Sequence, residues 1–424
     1  MTASTPHAPS APPTDARASD RAPGRAVAYG LTWLSYATYY FGRKGLGVAK
    51  ATMEASLGKT SLYGVETAYL AAYAIGQYLS GWMGDKTGAR RLLGYGMLAS
   101  AAACFAFGSS TGGALFLVAM FANGLAQSTG WPGNVKAMAE WTPPARRGAV
   151  MGIWSTCYQV GGIVATSAAA AAVRAWGWPW AFKGPAVAIA LVGLLVLLLL
   201  RPGPLALVAP TSAASSAKAS ADLAAARSRL LRSPTIWSYG VAYFCLKLIR
   251  YSLLLWLPYY LEKVLHYEKL RAANVSTSFE IGGIAGTIVI GLLSDRLRHV
   301  PRSVIAAVSL IGLAGAFQLY TVVGGTGQIA NFLSMALVGF LLFGPDSLIS
   351  GAAAQDAGGA EAAALAAGLI NGIGSLGAIL QEVVTRSVSA RWGWDGLFHV
   401  FVGLSLISAL CLAPTFRLRA SAAR

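Results

Sequence analysis

Charge is what this 424-residue chain has least of. Only 12% of its residues are charged against 55% hydrophobic, and the mean hydropathy is +0.56. A soluble domain cannot cover its surface with so few charges, so the chain is read as a polytopic membrane protein whose first partner is the lipid bilayer. Cysteine is scarce as well. Cys104, Cys157, Cys245 and Cys411 stand singly in apolar stretches, which excludes a disulfide framework. His7, His266, His299 and His399 have no metal-ligand spacing, and no nucleophile motif or nucleotide loop appears. No enzyme, metal or cofactor is therefore expected. The charge that is present leans basic, with a formal net value of +17. It gathers between apolar runs, as the positive-inside rule describes, so nucleic acid is not an expected partner.

Apolar runs long enough for a spanning helix begin near Ala26, Gly64, Leu92, Ala114, Gly148 and Ala181. A second set begins near Thr235, Ala272, Arg302, Gln328, Glu361 and Asp395. The expected organisation is a disordered tail at 1–25, a six-helix half at 26–200, a linker at 201–234, a second half at 235–416 and a basic tail at 417–424. The tail at 1–25 has no apolar core and is not a signal peptide. The linker is Ala/Ser-rich with several basic residues, and part of it reads as an amphipathic surface helix. If both termini and the linker are cytoplasmic, the inner segments carry 19 Lys/Arg and the outer segments 9, which supports that orientation. Trp176, Trp178, Trp180, Trp392 and Trp394 fall at the expected outer ends, as an aromatic belt does.

Arg43 and Lys44 lie late in the first apolar run, where an arginine at the centre of a membrane helix costs roughly 2.5 to 3.5 kcal/mol. On a helix, Tyr36, Tyr39 and Tyr40 flank the Arg43 face. A similar placement recurs 207 positions on, where Tyr243 stands seven residues before Arg250. The loop Gly81-x3-Asp85-Lys86 also recurs, as Gly291-x3-Asp295-Arg296. Two arginines placed alike in two repeated halves point to one shared site between them. A pair of guanidinium forks suits a phosphate dianion, because each can bond it through two parallel N–H groups.

The extended form of that loop, Gly81-x3-Asp85-Lys86-x-Gly88-x-Arg90-Arg91, resembles the signature between spans two and three of the major facilitator superfamily. Finer matches resemble the organophosphate:phosphate antiporters, and the sugar-phosphate exchanger branch in particular. They are Tyr39-Tyr-Phe-Gly-Arg43-Lys44 with Lys50 in span one and Asn123-x3-Gln127-x3-Trp131-Pro132 in span four. Arg147 to Trp154 in span five, Arg250-Tyr251 in span seven and Phe279-Glu280-Ile-Gly-Gly283 in span eight are similar too. The resemblance covers about Ala26 to Phe416. It implies an all-α membrane protein with the major facilitator fold, 12 transmembrane helices in two six-helix pseudo-symmetric halves. It also implies that Arg43 and Arg250 bind the substrate phosphate, and that the two Asp-bearing loops gate the halves through Gly81, Asp85, Lys86, Gly88, Arg90, Arg91, Gly291, Asp295 and Arg296.

Two positions depart from the bacterial pattern. Gln77 stands where the glycerol-phosphate antiporter has lysine, and Tyr158 where it has histidine. Both can hydrogen-bond sugar hydroxyls without adding charge. Lys136 aligns with a basic residue of span four and is expected near the cytoplasmic end of that span. The expected substrate site therefore comprises Arg43, Arg250, Tyr36, Tyr39, Lys44, Gln77, Tyr158, Lys136, Tyr243, Lys247 and Glu280. Glu280 is expected to pair with Lys247 or Arg250 between substrates, or to form a structural ion pair. Asp346 and Glu382 are expected near span ends, with a proton-carrying role as the alternative. Gly161-Gly162 and the Gly368/Gly372 pair read as packing positions.

The expected function is exchange of a phosphorylated organic solute, a sugar phosphate, for inorganic phosphate by alternating access in a bacterial inner membrane, with both termini cytoplasmic and the protein a monomer. The rivals are a proton-coupled organic-anion symporter and a membrane-bound sugar-phosphate sensor.

Overall fold

The computed structural model describes residues 24–58, 62, 64–206, 213–297 and 299–416. The expected tails, apart from residues 24 and 25 and the 416 boundary, lie outside the described residues. The helices are α1 (Arg25–Leu57), α2 (Val65–Thr87), α3 (Ala89–Ser109), α4 (Ala114–Gln127), α5 (Gly130–Trp141), α6 (Arg147–Trp154), α7 (Thr156–Trp176) and α8 (Trp180–Leu199). There follow α9 (Ala213–Arg232), α10 (Pro234–Lys263), α11 (Lys269–Arg296), α12 (Arg302–Val323), α13 (Gln328–Ser347), a π-helical turn (Leu348–Ala353) and α14 (Ala354–Leu412).

Long apolar helices follow from the bilayer, where each backbone N–H and C=O must be satisfied within its own segment. Eight helical stretches among the described residues are long and apolar enough to cross a membrane by composition. The remaining crossings fall short of that measure for identifiable reasons. Tyrosine, glycine and serine lower the hydropathy of α1 and, with Gln77, of α2, and α1 also carries Arg43, Lys44 and Lys50. The α4–α5 crossing is interrupted at Ser128–Thr129. The last crossing is joined to its predecessor within α14, which left-handed backbone at Gly359 (φ 60°) and Gly393 (φ 69°) divides into segments 361–392 and 394–412. Counted this way, the described residues hold twelve candidate crossing segments, each beginning within about three residues of the start expected from hydropathy.

The bundle is inside-out relative to a soluble protein. Leu198, Val322, Ile329 and Leu410 are exposed on its flanks, while Lys247, Arg250 and Asp346 are buried within it and Arg43 is half-buried. Helix α2 packs on segment 361–392, and α6 on α11, which joins the first six crossings to the last six. The expected surface helix of the linker is α9. It is not free on the surface, because Ala226, Arg227 and Leu230 are buried against the bundle and Arg227 Nη2 donates to the Trp82 carbonyl oxygen at 2.6 Å. Residues 207–212 of the linker lie outside the described residues.

Glycine sets the helix spacing. A Cβ on Gly282 or Gly286 of α11 would run into the Ala336 or Phe340 carbonyl of α13, and one on Gly339 would run into the Phe279 carbonyl. Gly161 takes the backbone of Ala37 in the same way, and Gly368 that of Gln77. Without a hydrophobic force between helices in lipid, such close backbone contact supplies much of the packing attraction. Gly339→Val should therefore force α11 and α13 apart and destabilise the fold by about 1–3 kcal/mol. The check is a lowered melting temperature of the purified protein in detergent.

Candidate substrate site and the contacts that close one face

Arg43 is enclosed by aromatic rings. Its guanidinium carbon lies 5.4 Å from the Tyr36 ring centroid, 5.0 Å from Tyr40 and 5.0 Å from Tyr73 of α2. Ring faces carry negative partial charge, and each such contact is worth roughly 0.5 to 2 kcal/mol depending on desolvation. Its Nε donates to Gln127 Oε1 at 2.7 Å, and Tyr69 donates to the same oxygen at 2.9 Å. Gln127 is in turn held by Nε2 donating to Asn123 Oδ1 at 3.2 Å, which Ser100 also bonds at 2.7 Å. That chain fixes the amide with its acceptor toward the arginine. Nη2 of Arg43 is buried with no protein partner.

Arg250 is held differently. It lies 4.6 Å from the Tyr158 ring and 4.8 Å from the Phe343 ring, and its Nη1 donates to both oxygens of Asp346 at 3.2 Å. Tyr158, from the other half, donates to Asp346 Oδ2 at 3.2 Å. Nε of Arg250 is buried without a partner. One helical turn earlier, Lys247 Nζ donates to Asn371 Oδ1 at 2.5 Å and to Ser375 at 3.2 Å. Asn371 Nδ2 donates to Gln77 Oε1 at 2.9 Å, and Gln77 Nε2 to the Ser128 carbonyl at 3.2 Å. Arg43, Arg250, Lys247, Tyr36, Tyr40 and Tyr158 line one narrow polar cleft.

Several expected residues lie elsewhere. Tyr39 turns away from the cleft and bonds Thr129 at 2.8 Å, its ring seated in the slot left by the missing side chain of Gly130. Gln77 sits behind Asn371 and reaches the cleft only through it. Lys136 lies outside the cleft altogether, 3.5 Å from Asp85 and 3.7 Å from Glu140. Tyr243, by contrast, does line the cleft, beside Lys247, with the ammonium 5.3 Å from its ring. Arg250 pairs with Asp346 rather than with Glu280, which faces Lys44 instead. Asp346 is not near a span end, since it is 1% exposed at the centre of the site. Glu382 is on the outside, paired with Arg386 at 3.0 Å. Sequence reading missed Tyr73, Asn371 and Phe343 as neighbours of the arginines. Only Asp346 carried a signal, an acidic residue inside an otherwise apolar run.

The face of the bundle that bears α9 is closed by two matching contacts. Asp85, at the end of α2, accepts the backbone N–H groups of Ala364 (3.1 Å) and Leu365 (3.0 Å) in the first turn of segment 361–392. Asp295, at the end of α11, accepts those of Gly148 (3.0 Å) and Ala149 (2.6 Å) in the first turn of α6. A helix start leaves N–H groups without partners and carries a partial positive charge, so an aspartate from the opposite half satisfies both. Gly81 and Gly291 permit the approach, because a Cβ would stand 2.8 Å from the Ala364 carbonyl or 2.5 Å from that of Gly148. Gly88, with φ 79°, ends α2. The basic partners are not the motif residues. Arg90, Arg91 and Arg296 are exposed, and Lys86 stacks on Trp82 at 3.7 Å. Lys136 meets Asp85, and Arg302 meets Asp295 at 2.7 Å. Asp356 takes Arg147 and Arg302, each at 2.9 Å, closing the same face.

Twelve crossings around one polar cleft, shut at one end by paired helix caps, define a membrane transporter. The model of the Major Facilitator Superfamily matches residues 32–381, and the chain belongs to that superfamily and, within it, to the organophosphate:phosphate antiporter family. Sugar phosphate exchanger 3 of Mus musculus is 30% identical over 405 residues, 86% of this chain and 81% of its own. That of Xenopus laevis is 30% identical over 396 residues, 82% and 78% of the two chains. Glucose-6-phosphate exchanger SLC37A2 of Mus musculus is 28% identical over 453 residues, 90% of each. Among solved structures, the Fucose:proton symporter FucP of E. coli aligns with a TM-score of 0.69 over 95% of this chain and 100% of its own. At 15% identity it bears on the fold alone.

The paired caps generate a prediction. Removing a capping carboxylate costs about 0.5–2 kcal/mol, so Asp295→Ala should shift the closed face toward opening. The readout is a cysteine placed by Ser347→Cys, beside Ser155 below the cleft. Its labelling by a maleimide added from that face should rise severalfold in the Asp295→Ala background.

Proposed function

We propose that this chain exchanges a sugar phosphate for inorganic phosphate, with Arg43 and Arg250 as the phosphate clamp. The observation that carries the reading is the pair of arginines, one from each half, each with a buried N–H lacking a protein partner, on one cleft. A buried donor left unpaired costs about 1–3 kcal/mol, more if charged, and a phosphate oxygen repays that. The names of the relatives, a sugar phosphate exchanger and a glucose-6-phosphate exchanger, agree with it.

Tyr36, Tyr40 and Tyr73 around Arg43, with Asn371 and Lys247 opposite, offer rings and polar tips suited to a sugar beyond the phosphate. Tyr158, where a titratable residue stands in the glycerol-phosphate antiporter, fits a hydroxyl-rich group better than a second anion, and Gln77, neutral in place of a lysine, acts on the cleft through Asn371. We take the α9 face as cytoplasmic from the excess of Lys/Arg there, in a bacterial inner membrane, which makes this an outward-facing arrangement. Anion binding neutralises facing cations and lets the halves rock; without an anion the cations oppose closure, so transport is exchange rather than net uptake.

Proteoliposomes loaded with phosphate should take up labelled external phosphate, and sugar phosphates should compete. Arg250→Lys and Arg43→Lys each keep charge but lose the fork, and each should reduce exchange at least about tenfold. Undiminished exchange in both variants, or no exchange in the wild type, would overturn the reading.

A further inference from the structure

We propose that Asp346 binds a proton together with the substrate phosphate, so that the anion enters this cleft with one proton. The proposal rests on the phosphate reading above and on a geometry which that reading does not use. Asp346 is 1% exposed, both of its oxygens accept from Nη1 of Arg250, and Oδ2 also accepts from Tyr158. A phosphate taking the unpartnered Nε would share the same cation with that carboxylate. Two anions sharing one guanidinium in a dry site cannot both remain fully ionised, and one of the pair holds a proton, as paired carboxylates do.

The groups that face Asp346 do not remove the conflict. From α10 these are Arg250, already bonded, with Lys247, Tyr243 and Tyr251. From α7 it is Tyr158, and Ser347 beside it bonds Ser155 at 3.0 Å. Of the other cations on the cleft, Lys247 directs its ammonium at Asn371 and Ser375, and Arg43 is bonded to Gln127. The tyrosines can donate a hydrogen bond but bring no positive charge.

The proton balance is simple. A phosphate monoester has a second pKa near about 6, so near neutral pH it carries one proton in part of its population. The O–H bond of that monoanion breaks and an O–H bond forms on an Asp346 carboxyl oxygen. The dianion remains on the arginines, and the carboxyl, now neutral, donates to it. Charge on phosphate plus Asp346 stays at minus two, and no other co-reactant is needed. The π-helical turn that begins two residues later, at Leu348, gives α13 a local irregularity beside this residue; such turns frequently occur at functional sites.

The test is calorimetric titration of the detergent-solubilised full chain with inorganic phosphate, in pairs of buffers that differ in ionisation enthalpy. Wild type should take up close to one more proton per phosphate than Asp346→Asn, and its affinity should fall about tenfold more steeply per pH unit above neutrality. The titration of phosphate itself is common to both proteins and cancels in the comparison. Tyr158→Phe, which keeps the arginine–carboxylate pair, should retain the wild-type proton count. Equal proton counts and parallel pH profiles in wild type and Asp346→Asn overturn the proposal while leaving the phosphate site intact. Should the Asn variant fail to fold, phosphate-induced infrared difference spectra of the wild type decide. A gained protonated-carboxyl band supports the proposal, and no such band overturns it. Absence of phosphate binding in the wild type at every pH overturns the transport reading and this one together.

Discussion

The interaction on which this molecule depends is the burial of two guanidinium groups at the junction of its halves. An isolated charge in hydrocarbon is costly, and the chain meets that cost with partners chosen to leave part of each fork free. Arg43 is solvated by three tyrosine rings and one glutamine carbonyl, none of them an anion. Arg250 has a carboxylate as well as rings. The site is therefore asymmetric although the fold is not. The first half offers a cation with neutral surroundings, and the second offers one already partly neutralised. An anion bridging the two would gain more from Arg43 electrostatically and would contend with Asp346 at Arg250.

The closing contacts repeat more faithfully than the site. Asp85 and Asp295 each reach across to two successive N–H groups at a helix start in the opposite half. Their cationic partners come from different places: Lys136 from within a crossing helix, Arg302 from the start of one. What has been kept between the repeats is the carboxylate and the glycine that lets it approach, while the neutralising charge has been supplied locally in each half. The capping geometry constrains the backbone, whereas a compensating charge can arrive from any nearby side chain long enough to reach.

That contrast explains what was legible in the sequence. The bilayer imposes length and apolarity on every crossing, so the twelve starts could be read almost residue by residue. Arg43 and Arg250 stood out because a charge in such a run needs a reason. Rotation about a helix axis and pairing across the halves were not legible. Tyr39 and Tyr40 both lie within one turn of Arg43, yet only Tyr40 faces it, because Gly130 on another helix opens a slot for Tyr39. Asp346 meets Tyr158 across 188 positions and Asp85 meets Ala364 across 279. No periodicity within a single helix carries information about contacts at that separation. Lys136, expected on the site's helix but toward its end, meets Asp85 on the closed face, roughly one and a half helical turns beyond Trp131 and too far along to reach the cleft.

The same helices carry both the site and the closure, which gives the coupling a physical route. Segment 361–392 presents Ala364 and Leu365 to Asp85 and, about two turns on, Asn371 to Lys247 and Gln77. Helix α5 places Trp131 at the cleft, its indole donating to the Ser350 carbonyl of the opposite half at 3.0 Å, and Lys136 at Asp85. A ligand shifts an equilibrium only by its differential affinity for the two states. An anion that draws Arg43 and Arg250 together acts on helices that also bear the caps, so any difference in cleft width between the two states becomes a difference in cap geometry. The caps are short and directional, whereas the charge attraction in the cleft is longer-ranged. Opening of the α9 face should accordingly be abrupt once the caps part, with the anion setting the balance between two packed arrangements rather than grading a continuous motion.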